Sequence, residues 1–131
     1  MKNIVLCGSM TFISKMKEIA KSLSENGFTP IIPDEDNWGI LNESEKNEYK
    51  RKVSRAHFDK IACQDTYAIL VINERKNNKD NYIGANTFAE IALAFYFGKK
   101  IYILYGLYEP YSDELLAWGA LRLNGKLQNI I

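Results

Sequence analysis

Apolar residues along this chain follow two rhythms. Short apolar runs, Ile4 to Leu6, Phe28 to Ile32, Ala68 to Ile72 and Ile101 to Leu104, suit strands of a buried sheet. Between the first two, Phe12, Ile13, Met16, Ile19, Ala20 and Leu23 recur at helical spacing, and Gly27 stands where a glycine follows a helix end. The second run stops at Pro33, which suits a strand at the sheet edge. After a loop over 33–41, Asn42 with Glu45 three positions on predicts a capping box. The helix it opens should reach about Cys63, with Tyr49, Val53, Ala56, Ile61 and Ala62 facing inward. A polar loop from Asn73 to Tyr82 precedes a helix expected from about Asn86 to Phe97. Ser112 can cap a short helix ending near Gly119, and Leu121 to Leu123 can form a fifth, edge strand.

Strands alternating with helices give a parallel sheet covered on both faces. The expected fold is therefore α/β: a flavodoxin- or Rossmann-like three-layer sandwich on a five-stranded, mainly parallel sheet of order 2-1-3-4-5. One domain over residues 1–131 accounts for the whole pattern, with no repeat, linker or low-complexity segment.

Composition narrows the partners. Apolar residues make up 47% and charged residues 25%, a globular balance. With 17 basic and 16 acidic residues the net charge is +1, so no strong hold on nucleic acid or an anionic membrane is expected. The lysine-rich stretches Lys46 to Arg55 and Arg75 to Lys79 are interleaved with polar or acidic residues and read as solvated faces. Cys7 and Cys63 read as buried thiols, not as a disulfide. No segment has the ~20 apolar residues a bilayer span needs, and the N-terminal apolar run is too short for a secretion signal, so a cytoplasmic location is expected.

In such a sheet a ligand sits beyond the carboxyl ends of the strands, where strand order reverses. Three segments should meet there: Gly8-Ser9-Met10-Thr11, Pro33 to Trp38, and Asn73 to Thr87. Gly8 and Ser9 permit close backbone approach, and Ser9 or Thr11 can donate, although a plain turn and cap explain them equally well. Neither a GxGxxG nor a GxxxxGK[ST] pattern is present. Asp34, Glu35 and Asp36 beside Trp38 can hold ribose hydroxyls or a base, or simply solvate a loop.

Glu90 is expected in the first turn of an otherwise apolar helix that begins at this crevice. A carboxylate there either works or complements the helix dipole, and the pattern alone does not choose. His57, the single histidine, and Asp59 beside it read as structural or exposed, and Asp59 can pair with Arg55. No His, Cys and carboxylate grouping has metal-ligand spacing, so neither a metal nor another cofactor is expected.

Taken together these residues carry a resemblance. The glycine-serine after strand one, an aspartate (Asp65) opening strand three, Tyr82-Ile83-Gly84, Asn86-Thr87, Ala89-Glu90-Ile91-Ala92 and Gly98-Lys99 occur in the order of the nucleoside 2-deoxyribosyltransferases and their deoxynucleotide N-glycosidase relatives. Leu115-Leu116-Ala117-Trp118-Gly119 is similar to the Leu-x-x-Trp-Gly segment of the transferases. The resemblance implies a small-molecule nucleoside or nucleotide substrate. It further implies N-glycosidic cleavage through a glutamyl-glycosyl intermediate, with transfer to a base or to water. Glu90 would be the nucleophile, with Gly8, Ser9, Thr11, Asp34, Asp59, Tyr82, Gly84 and Asn86 about the substrate. It also implies a homo-oligomer whose sites are completed across subunits.

Two positions depart from the family. His57 stands where relatives carry an aspartate acid, and imidazole can fill that role at neutral pH. Glu114 stands four residues before Trp118, in place of an amide supplied by a neighbouring subunit. The different-class alternative is a non-catalytic nucleotide-binding module on the same fold. A NAD- or nucleotide-cleaving glycosidase of another kind ranks last, because its PGGxGT phosphate loop is missing.

Overall fold

The computed structural model describes residues 2–34 and 41–130. Five strands, β1 (Lys2–Cys7), β2 (Phe28–Ile31), β3 (Thr66–Val71), β4 (Lys100–Ile103) and β5 (Leu121–Arg122), form one sheet of order β2-β1-β3-β4-β5. Every pairing is parallel. Helices α1 (Ile13–Glu25), α2 (Glu43–Ala62), α3 (Ala85–Tyr96) and α4 (Ser112–Ala117) occupy the connections. This is the expected α/β architecture, and it is parallel throughout.

Alternation along each strand sorts the core into two layers. Ile4, Leu6, Ala68, Leu70, Ile72, Tyr102 and Leu104 pack with Met16, Ile19 and Leu23 of α1. Their neighbours Val5, Cys7, Ile69, Val71, Ile101 and Ile103 pack on the opposite face with Ile61 of α2, Ile91 and Ala94 of α3, and Leu115 of α4. Cys7, as the last residue of β1, therefore points to the α2/α3 layer.

Helix ends follow local chemistry. Asn42 Oδ1 accepts from Glu45 N–H at 2.8 Å, and Glu45 Oε1 accepts from Asn42 N–H at 3.2 Å, completing the capping box. Gly27 follows α1 at φ 87°, a conformation that favours glycine. Pro30 lies within β2, which is an edge strand and so can lose a donor.

Three expectations change. The inward stripe of α2 runs Tyr49, Val53, His57, Ile61, four residues apart, so Ala56 is exposed and His57 is buried. Cys63, just past the helix end, is exposed and not a buried thiol. Ser112 is the first residue of α4, whose cap position is Tyr111 with no side-chain bond, so Ser112 does not cap it. No helix among the described residues is long and apolar enough to cross a membrane.

Candidate active site

β1 sits between β2 and β3, so the chain leaves it to one side and returns on the other. The crevice beyond the carboxyl ends of β1 and β3 is that reversal point. A cavity of ≈ 380 Å³ opens there, within the range of small-molecule sites.

Two elements bring one buried side chain each to its floor, and a third places one just behind them. Glu90 lies on the inward stripe of α3 with Thr87, Ile91 and Ala94, in the second turn rather than the first, and is 4% exposed. Complementing the helix dipole from the first turn is thus not its role. His57 reaches it from α2, with Nε2 3.5 Å from Glu90 Oε2. Cys7 Sγ lies 3.8 Å from the same nitrogen. The other ring nitrogen, Nδ1, is buried without a hydrogen-bond partner among the described residues.

Burial governs the protons. It pushes the Glu90 carboxyl up to about 8, against the hydrogen bond from the Cys7 thiol. Burial, with the Lys60 charge adding to it, holds His57 down at about 4. The Cys7 thiol is driven well above its usual value by burial and then by Glu90. At neutral pH the cluster therefore rests uncharged: a carboxylic acid, a neutral imidazole and a thiol.

Around this floor the cavity is lined by Gly8, Ser9, Asp34, Tyr82, Gly84 and Asn86, all expected there, and also by Lys50, Ser54, Lys76 and Thr87. Lys76 went unrecognised in a stretch read as a solvated face. Asn77 and Asn78 at φ 52° and 60° turn the chain back, with Lys76 bridged to Lys79. Lys76 Nζ then donates to Ser9 Oγ at 2.7 Å. The Asn-Asn pair was the available signal, weaker than Asn-Gly. Gly84 caps α3 by backbone alone, so the helix N-terminus meets the cavity without a side-chain cap.

Asn73 was passed over inside the polar loop. It is fully buried and joins the loops after β3 and β4: its Nδ2 donates to Gly106 O at 2.7 Å, and its Oδ1 accepts from Tyr105 N–H at 3.1 Å. That tie holds the segment leading to Tyr82.

Three expected residues stand away from the cavity. Thr11 is exposed, with Oγ1 2.9 Å from Ser9 Oγ, so it braces Ser9 rather than lining the wall. Asp59 is exposed two residues beyond His57, which on a helix faces it away from the site. Glu114 is exposed on α4, outside this cavity. Glu35, Asp36 and Trp38 lie outside the described residues.

No protein-family model matches the chain, and no curated protein matches it by sequence. Among solved structures, a 2-deoxyribosyltransferase from Bacillus psychrosaccharolyticus superposes with a TM-score of 0.56 at 19% identity, covering 77% of this chain and 70% of that one. The Clostridium botulinum CMP N-glycosidase superposes at 0.54 with 18% identity, covering 94% of this chain and 89% of that one. This chain shares their fold. At such identities the likeness speaks for the architecture alone.

Proposed function

We propose that this protein is an enzyme of the nucleoside 2-deoxyribosyltransferase type, cleaving the N-glycosidic bond of a deoxynucleoside or its monophosphate. The observation that carries the reading is a buried glutamate 3.5 Å from the single histidine, on the floor of the cavity at the strand reversal. The shared fold of a deoxyribosyltransferase and a CMP N-glycosidase supports it.

The resting proton suggests how the chemistry starts. Transfer from the Glu90 carboxyl to His57 Nε2 runs against their resting order and so needs the bound substrate to drive it. It makes a carboxylate and an imidazolium together, with no net charge added to a buried site. The carboxylate attacks the anomeric carbon as the bond to the base breaks, and the imidazolium returns its proton to the departing base nitrogen. Water or a second base then takes the sugar from Glu90. Lys76 beside Ser9 offers the cation that the first loop lacks, which supports a substrate ending in phosphate.

The test is incubation with deoxynucleosides and their 5′-monophosphates, with and without an acceptor base, followed by chromatography. Base release or exchange is expected, and Glu90→Gln should reduce it by at least ~10³-fold, as loss of a nucleophile does. Full turnover in that variant would refute the nucleophile assignment. The protonated resting Glu90 also suits a second reading, a non-catalytic nucleotide pocket in which it donates to a base. Ligand binding with no free base and no exchanged product would favour that reading.

A further inference from the structure

Cys7, His57 and Glu90 come from β1, α2 and α3, and their ligand-type atoms all lie within 4.8 Å of one another in a buried group. The geometry points to a divalent transition-metal site, best matched to Zn²⁺, held by Cys7 Sγ, His57 Nε2 and Glu90 Oε2. A tetrahedral zinc with bonds of about 2.3 Å to sulfur and about 2.1 Å to nitrogen and oxygen sets its ligands about 3.6 Å (S to N) and about 3.4 Å (N to O) apart. The separations here are 3.8 Å and 3.5 Å. Both lie close to those spacings, and the third separation, Cys7 Sγ to the Glu90 carboxylate, is within 4.8 Å.

Charge favours the same occupant. Cys7 and Glu90 are both buried, where a lone thiolate or carboxylate is penalised. On metal binding the Cys7 thiol and the Glu90 acid release one proton each to solvent, and two anions balance one dication. A mixed sulfur, nitrogen and oxygen set suits zinc better than magnesium or calcium, which take oxygen ligands. His57 and Glu90 line the cavity, so the fourth position faces it, the arrangement of a reactive rather than a closed structural zinc.

A ligated Glu90 cannot attack a sugar, so zinc would switch off base release. That consequence rests on the glycosidase reading, whereas the metal site does not.

Chelator-stripped full-length protein titrated with Co²⁺ tests the site by absorbance. One equivalent should bind, with a thiolate-to-cobalt charge-transfer band and the strong visible bands of four-coordinate cobalt, and one equivalent of Zn²⁺ should displace it. Cys63→Ser should keep these bands and Cys7→Ser should lose the charge-transfer band. His57→Gln should weaken binding by more than the ~10–100-fold that loss of an outer-shell partner causes. Absence of uptake by folded wild-type protein would overturn the site, as would a band that survives Cys7→Ser. If Cys7→Ser does not fold, unchanged Co²⁺ affinity in both His57→Gln and Glu90→Gln overturns it instead. Zinc inhibition of base release at the same half-saturation supports the switch. Lack of any base release removes the glycosidase reading and leaves the cobalt spectra to decide the metal site.

Discussion

At the scale of single residues, the Glu90–His57 pair couples folding to pH. The folded protein keeps a proton on Glu90 up to about 8, whereas the unfolded chain loses it near 4.5, so stability from Glu90 falls as pH rises between those values. His57 acts in the opposite sense: its folded value of about 4 lies below the unfolded 6.5, so stability rises with pH across that window. From pH 4.5 to 6.5 the two slopes cancel, and from 6.5 to 8 only the Glu90 slope remains. Metal-free protein should therefore lose on the order of 2 kcal/mol between pH 6.5 and 8. Urea midpoints at the two pH values measure it, and Glu90→Gln should abolish the loss. A parallel decline in wild type and variant would show that other groups cause it.

The same residues mark how far a sequence can be read. Glu90 was suspect because a carboxylate interrupted an apolar helix. His57 read as structural from local pattern and as an acid only through the family resemblance, although it completes the four-residue stripe of Tyr49, Val53 and Ile61. Cys7 looked like core, and it is core; that it touches His57 fifty positions away has no trace in local spacing.

At the scale of elements, helix and strand patterns were legible because burial on two faces writes itself into periodicity. The capping box of α2 was legible because it is local chemistry. Asn42→Ala should lower stability by about 1 kcal/mol, checked by denaturant titration, since it removes the bond to Glu45 N–H. An unchanged midpoint would mean that the first turn of α2 is held by other contacts. Gly8 is a sterner constraint, because a Cβ there would lie 2.8 Å from the Ile72 carbonyl oxygen and 3.0 Å from Met16 Cε. Gly8→Ala should cost about 1–3 kcal/mol, the range for overpacking. Stability equal to wild type would show that the chain after β1 can move off Ile72 and α1 slightly without penalty. The turn at Asn77-Asn78 and the tie made by Asn73 were not legible, since both depend on which loops the sheet order brings together.

At the scale of the whole molecule, exposed apolar residues gather at the end of α3. Phe95, Tyr96 and Phe97 at the end of α3, with Leu116 and Leu121, are exposed large apolar residues. Phe95 also stacks on Trp118, which joins α3 to α4 there. Apolar surface of this kind marks contact sites. We expect it to pair copies of the chain, so that sedimentation gives a mass above the 15.0 kDa monomer. Tyr96→Glu should return it to monomer. A monomeric wild type at all concentrations would leave the patch for some other partner.

The unequal burial of the two cysteines also gives the protein a clock. Cys63 is exposed and Cys7 fully buried between sheet and helices. A thiol reagent should modify Cys63 at once, whereas Cys7 must wait for β1 to part from α2 and α3. The delay between the two reactions measures the rate at which this layer opens, with no label added and no residue changed. A ligand seated on His57 and Glu90 should lengthen it.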